Sequence, residues 1–384
     1  MSSTGRYIVA AATIAAVLWL ALTSRDEERP VEGGVRVSSV LGDGDTAGFR
    51  LADPDYRLEF PADHGAHPDF RAEWWYFTGN LTAKDGRQFG FQYTIFRFAL
   101  AADSAERISS WATRQIWMGH LALTDVAGER FHRAERFARG GEIGLSGASA
   151  DPFRVWLDNW VMLSRDESFL PLQLSAQEHD FGLELVITDG VGPVLQGDQG
   201  YSAKGPGTGN ASHYYSYTRL DAHGQIRIGN EYVRVAGQAW LDREWSTSAL
   251  GPGVKGWDWF ALQMDDGADL MFYRLRRVDG TPDVLSAGLL VNPDGSTTKL
   301  SPAETQIRPT RYWRSDETDI RYPVAWRMEI PGEALELNVE ALLDAQEMDL
   351  SVRYWEGAVR ISGSRRGGTI GGLGYLEMTG YEDD

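Results

Sequence analysis

The chain has 384 residues, 42% hydrophobic and 24% charged, a globular balance long enough for two cores of ordinary size. Its 55 acidic and 37 basic side chains give a formal charge of −18, which excludes nucleic acid and anionic membrane surfaces as partners of the folded part, since no basic surface exists to displace their counterions. With no cysteine, disulfides, thiol nucleophiles and thiolate metal sites are excluded together.

The N-terminus carries the first signal. After Arg6, the run Tyr7 to Leu22 has no charge, the layout of a signal peptide or signal anchor over residues 1–23. It predicts an apolar helix and export to the periplasm, as a soluble protein or one tethered to the inner membrane. Residues 24–48 read as a polar, Gly-rich linker.

From about Phe49 the chain reads as strands. Tryptophan is abundant, 14 beside 15 Tyr and 15 Phe, which points to thick β-cores or to an aromatic-lined cavity. DHGAHPDF (Asp63 to Phe70) offers His64, His67 and Asp69 at a spacing that could ligate a metal. The simpler reading is a loop whose side chains cap the backbone beside Pro68, and no metal is expected. EWWYFTGNL (Glu73 to Leu81) follows. Neighbours on a strand face opposite sides, so Trp74 and Tyr76 share one face while Trp75 and Phe77 share the other. One face belongs to a barrel core and the other to a second domain or a ligand. Trp75 and Phe77 are the candidate ligand contacts, and Glu73 is expected to pair with an arginine.

KDGR (Lys84 to Arg87) separates this strand from the aromatic run Gly90 to Leu100, a hairpin signal. Short strands with Gly/Asp turns continue, without long amphipathic helical periodicity. The fold class is therefore all-β. In the stretch Tyr201 to Leu220, Ser212, Tyr214, Ser216 and Thr218 alternate with His213, Tyr215, Tyr217 and Arg219. Polar groups on both faces suit either a cavity lining or an exposed edge strand. His213, Tyr215 and Tyr217 are the candidate ligand contacts.

QAWLDREWS (Gln238 to Ser246) places Asp242, Glu244 and Ser246 on one face, and Leu241, Arg243 and Trp245 on the other. Two like charges on a buried face raise one pKa and keep that acid protonated. Just beyond, GWDWF holds Asp258 between Trp257 and Trp259. An acid against aromatic walls can donate a proton while the rings stabilise a cation. Asp242, Glu244 and Asp258 are the candidate catalytic acids, with Trp245, Trp257 and Trp259 as ligand contacts. The alternative is that Arg243, Arg219 or Arg274 pairs with these acids and ties strands together.

The chain also resembles itself. WWYFTGNL then DGRQFGFQY parallels WDWFALQM then DGADLMFYR, and VRVAGQAWLDREW parallels VRISG…GYLEMTGY. Two related β-domains are expected, 49–250 and 251–384, meeting at the turn Leu250 to Gly256. No G-x-S-x-G, H-E-x-x-H or Walker A motif is present, and no cofactor is expected.

The ordered motifs HPDF…EWWYFTGNL, YSAKG…SHYYSYTRL, GQAWLDREWS…GWDWFALQ and WEGAV…GYLEMTGY resemble the AttH-like proteins, a family related to the carotenoid hydratases (hydroxyneurosporene synthases) and to fungal cyclases. The resemblance runs from His67 to Tyr381. It implies two tandem lipocalin-like antiparallel β-barrels, an elongated apolar isoprenoid or carotenoid-like ligand, and a partner such as an ABC-type transporter. It also implies a carotenoid 1,2-hydratase-like hydro-lyase, in which a protonated carboxyl gives its proton to an alkene and aromatics shield the cation. Asp242, Glu244, Trp245, Asp258 and Tyr273 match the regions that would supply these parts. A non-enzymatic carrier of an apolar ligand is the competing reading.

Overall fold

The computed structural model describes residues 46–382, apart from 103–112, 141–143, 208, 249 and 252. The apolar run Tyr7 to Leu22 and most of the linker lie outside the described residues. Among the described residues there is no α-helix, only the 3-10 turns Ala62–His64 and Pro331–Glu333. None of their helices is long and apolar enough to cross a membrane.

Two antiparallel sheets account for the structure. The first holds 13 strands, from Ala72–Ala83 to Glu231–Ser248, and the second holds 10, from Val254–Met264 to Gly368–Met378. The first curls into a barrel and the second into a half-barrel, so the expected all-β pair is present with its second member more open. Both share one connectivity. An opening hairpin (Ala72–Ala83 with Gln88–Ala99; Val254–Met264 with Asp269–Arg277) lays its first strand beside the last strand of a closing hairpin (Ala211–Ile228 with Glu231–Ser248; Tyr354–Arg365 with Gly368–Met378).

Strand alternation explains what each face does. Trp75, Phe77, Tyr93, Trp117, Tyr215 and Trp245 fill the first barrel, as Phe260, Leu262, Trp326, Trp355 and Leu376 fill the second sheet. Within the first barrel, the carboxylate of Glu73 is fully buried between Arg97 and Arg243. Burial is the largest influence on it and would raise its pKa, but the two guanidiniums and His67 outweigh burial and hold it far below the carboxylate range. Glu73 therefore does pair with arginine.

The outward faces of the two sheets meet. Gln263 Nε2 donates to the carbonyls of Thr218 (2.8 Å) and Ala239 (3.1 Å), and Asn80 Nδ2 donates to Gly374 O at 3.0 Å. Thr124 Oγ1 donates to Gln346 Oε1 at 2.6 Å. A Cβ on Gly90 would lie 2.6 Å from that of Ala358, so only glycine lets the sheets approach so closely there.

Candidate active site

The space enclosed between these outward faces is a cavity of about 990 Å³, counted to its open mouth. Its floor is made of cross-strand rows on the first sheet. Asp242 lies opposite Tyr76, Tyr76 opposite Thr94, and Thr94 opposite His120. One step along the strands, the row is Tyr214, Glu244, Trp74, Phe96 and Met118. With strands about 4.8 Å apart, Asp242 and His120 are separated by roughly 14 Å. The facing wall is a row on the second sheet, Tyr273, Trp259, Glu377 and Glu356, with Trp257 and Leu275 beside it.

The position of each candidate residue follows from this alternation. Asp242, Glu244, Tyr273, Trp257 and Trp259 line the cavity. Trp75, Phe77, Tyr215, Tyr217 and Trp245 do not; they point the other way, into the core of the first barrel. His213 is buried on that same side, against Tyr56 and Trp245. For these strands the opposite face meets the cavity, so Trp74, Tyr76 and Tyr214 take the expected places. Asp258 is also displaced. It is fully buried inside the second sheet, bound by Arg274 at 2.7 Å, with Arg276 at 3.4 Å and Tyr381 Oη donating at 2.7 Å. It is the structural ion pair that the sequence offered as the alternative. His64 and His67 serve the barrel: His64 Nδ1 lies 2.7 Å from Tyr215 Oη, and His67 stacks on Trp245.

Sequence reasoning missed Glu377, Glu356 and Lys204. Counting them, Asp242, Glu244, Glu356 and Glu377 occupy the space between the sheets, and Lys204 is the one lysine or arginine among the described lining residues. It pairs with Glu244. The other three carboxyls lack such a partner, and three unpaired buried anions are too costly to coexist. Each therefore leans toward its neutral form. Burial lifts Asp242 to about 6, against hydrogen bonds from Ser216, Tyr214 and Trp240 and the Lys204 charge. Burial, aided by the Asp242 charge, lifts Glu377 to about 7, against the Trp257 hydrogen bond and Lys204. Burial and the Glu377 charge hold Glu356 well above the carboxylate range, despite Tyr76 and Tyr354.

Asp242 and Glu377 differ in what surrounds them. Asp242 accepts from Tyr214 Oη at 2.6 Å, from Trp240 Nε1 at 2.7 Å and from Ser216 Oγ, a set of donors that favours the anion. Glu377 accepts from Trp257 Nε1 at 2.7 Å and keeps accessible surface facing the cavity. The pair suits a division of labour between a base and an acid.

Raised acid pKa values also have a consequence for stability. The folded chain holds these protons more tightly than the unfolded chain does. The contribution is therefore intact below about pH 4 and is lost as pH rises toward the folded values of about 6 for Asp242 and 7 for Glu377. For Asp242 the loss is about 3 kcal/mol at about 1.4 kcal/mol per unit. Asp242→Asn is expected to flatten the fall in urea midpoint between about pH 4 and 7; an unchanged slope would contradict the burial argument.

A barrel and half-barrel enclosing an aromatic cavity with buried acids define a lipocalin-like fold. The chain belongs to the AttH-like family, whose profile matches residues 51–381. An AttH protein from Nitrosomonas europaea has a crystal structure that superposes with a TM-score of 0.77 at 36% identity, covering 87% of this chain and 100% of that one. Kievitone hydratase from Fusarium solani subsp. phaseoli is 25% identical over 142 residues, 36% of this chain and 39% of that protein, so the match spans well under half of the relative. Kievitone hydratase from Nectria haematococca shares the fold, with a TM-score of 0.66 at 13% identity, covering 91% of this chain and 98% of that one.

Proposed function

We propose that the chain binds an elongated apolar molecule, isoprenoid or carotenoid-like, in the cavity and adds water across one of its double bonds. The observation that carries this reading is the pair of dissimilar carboxyls, Asp242 and Glu377, in an aromatic cavity whose lining sets one lysine against three acids. The relatives named as hydratases support it. Glu377, as the neutral acid, gives its proton to one alkene carbon. The cation left on the other carbon lies among Trp74, Trp257 and Trp259, whose ring faces attract positive charge. Water attacks that carbon, and the Asp242 carboxylate takes the proton it releases. Proton return from Asp242 to Glu377, through solvent, closes the cycle with one water consumed. Roughly 14 Å of floor from Asp242 to His120 accommodates the remainder of a long apolar chain. The uncharged run after Arg6 supports an exported, envelope-located protein.

The test begins with full-length protein from its own host, extracted with organic solvent. The co-purified compound is identified by mass spectrometry and re-incubated with fresh protein in ¹⁸O-water. Gain of one labelled water by a polyene supports hydration. Return of an apolar ligand unchanged would replace it with the carrier reading.

A further inference from the structure

We propose that Lys204 captures apolar aldehydes or ketones in the cavity as a Schiff base, with Glu244 as its counter-ion. The inference stands on the cavity and does not depend on water addition.

Four observations carry it. First, among 37 basic residues, four are lysines, Lys84, Lys204, Lys255 and Lys299. The chain uses arginine almost everywhere a cation is needed, including the buried pairs at Glu73 and Asp258. Yet the cavity receives a lysine, the basic residue that can shed its proton and act as a nucleophile. Second, the amine is presented to the cavity. Its Nζ lies 5.4 Å from the Tyr214 ring centre and 5.7 Å from that of Tyr273, and the residue is 9% exposed. Third, its backbone is fixed: the N–H groups of Lys204 and Gly205 both donate to Asn210 O, at 2.9 and 3.0 Å. Fourth, Glu244 accepts a hydrogen bond from Nζ. The groups facing the amine are Glu244 and Asp242 from one strand, Tyr214 from the next, and Tyr273 and Glu377 from the second sheet. Burial lowers the amine to about 7, while the charges of Asp242 and Glu377 act upward, so a neutral fraction exists near neutral pH.

The step balances without a further reactant. The neutral amine adds to the carbonyl carbon, forming a C–N bond. The resulting carbinolamine takes back the proton that the ammonium released and loses its oxygen as water, and the product is a protonated imine. An ammonium beside a carboxylate becomes an iminium beside the same carboxylate, so the charge of the site is unchanged.

The test uses butanal, cinnamaldehyde and retinal, three aldehydes of rising length, each incubated with the full chain at about pH 7.5 and trapped with sodium borohydride. Peptide mass spectrometry is expected to show Lys204 labelled by at least one aldehyde about a hundredfold faster than Lys84, Lys255 or Lys299. Lys204→Arg keeps a cation for Glu244 and should lose the label with an unchanged urea midpoint. Glu244→Gln should keep the label and move the titration of the retinal iminium band to lower pH. Equal labelling of the four lysines, or none at Lys204 with any of the three aldehydes, overturns the proposal. Because borohydride trapping reads amine chemistry alone, it can fail while hydration succeeds, or succeed while hydration fails.

Discussion

Glu377→Gln is expected to lower the incorporation of labelled water by about 10²–10⁴-fold, the range for removing a positioned general acid, while leaving ligand affinity nearly unchanged. Glu377 is the acid that holds a proton near neutrality. Burial and the facing Asp242 charge raise it to about 7, and its bond from Trp257 does not offset them. Glutamine preserves the acceptor for Trp257 Nε1 and the volume, so the lost function is the proton. Asp242→Asn should lower the rate by a similar factor through loss of the base. The double variant should be little worse than either single one, because acid and base act in one step. Asp258→Asn serves as the contrast: its partners are Arg274, Arg276 and Tyr381 inside the second sheet, so it should lower the urea midpoint without changing the reaction per folded molecule. Full rate in Glu377→Gln would remove it as the donor.

Glu73→Gln is expected to cost about 3–5 kcal/mol of stability, the usual penalty for removing one partner of a buried ion cluster. Arg97 and Arg243 are both fully buried, so removing the carboxylate leaves two buried cations without their counter-charge. The pH dependence has the opposite sign to that of the cavity acids. The folded pKa of Glu73 lies far below its ordinary 4.5, so its contribution is present above about 4.5 and is lost as pH falls toward the folded value. Wild-type protein should therefore lose urea midpoint in acid, and Glu73→Gln should show a weaker acid dependence from a lower plateau. An unchanged midpoint at pH 7 would show that the cluster contributes nothing net. The comparison reads midpoints, because a chain with two sheets need not unfold in one step.

The two acids that matter most were unequally legible. Asp242 was visible because Asp242 and Glu244 stand two apart in a strand pattern, a local arrangement of like charges. Glu377 stood within GYLEMTGY, a motif already matched to QAWLDREW as a repeat. Carrying that match to single residues puts Trp240, Leu241 and Asp242 against Tyr375, Leu376 and Glu377, and the structure shows both acids on the last strand of their sheets, facing one another. Lys204 had no such signal: it lies just beyond a three-residue strand in a Gly-rich loop, where alternation gives no direction.

By itself the sequence determined the all-β class, the repeated hairpins, and which residues share a face, because a strand's period of two is a local property. It also determined that Glu73 would need arginine, since a carboxylate amid apolar residues must be compensated. Which face looks inward was decided only by the tertiary structure. Trp74, Tyr76 and Tyr214 are as aromatic as Trp75, Phe77 and Tyr215, so hydrophobicity does not separate core from cavity wall. That choice depends on the curl of each sheet and on where the second sheet docks, through Gln263, Asn80 and Gly90. The curl of the second sheet seals Asp258 among its own arginines, whereas the docking leaves Asp242, Glu356 and Glu377 without them. The shortage of partnered charge that raises their pKa values thus exists only once residues more than a hundred apart in the chain share one dry space.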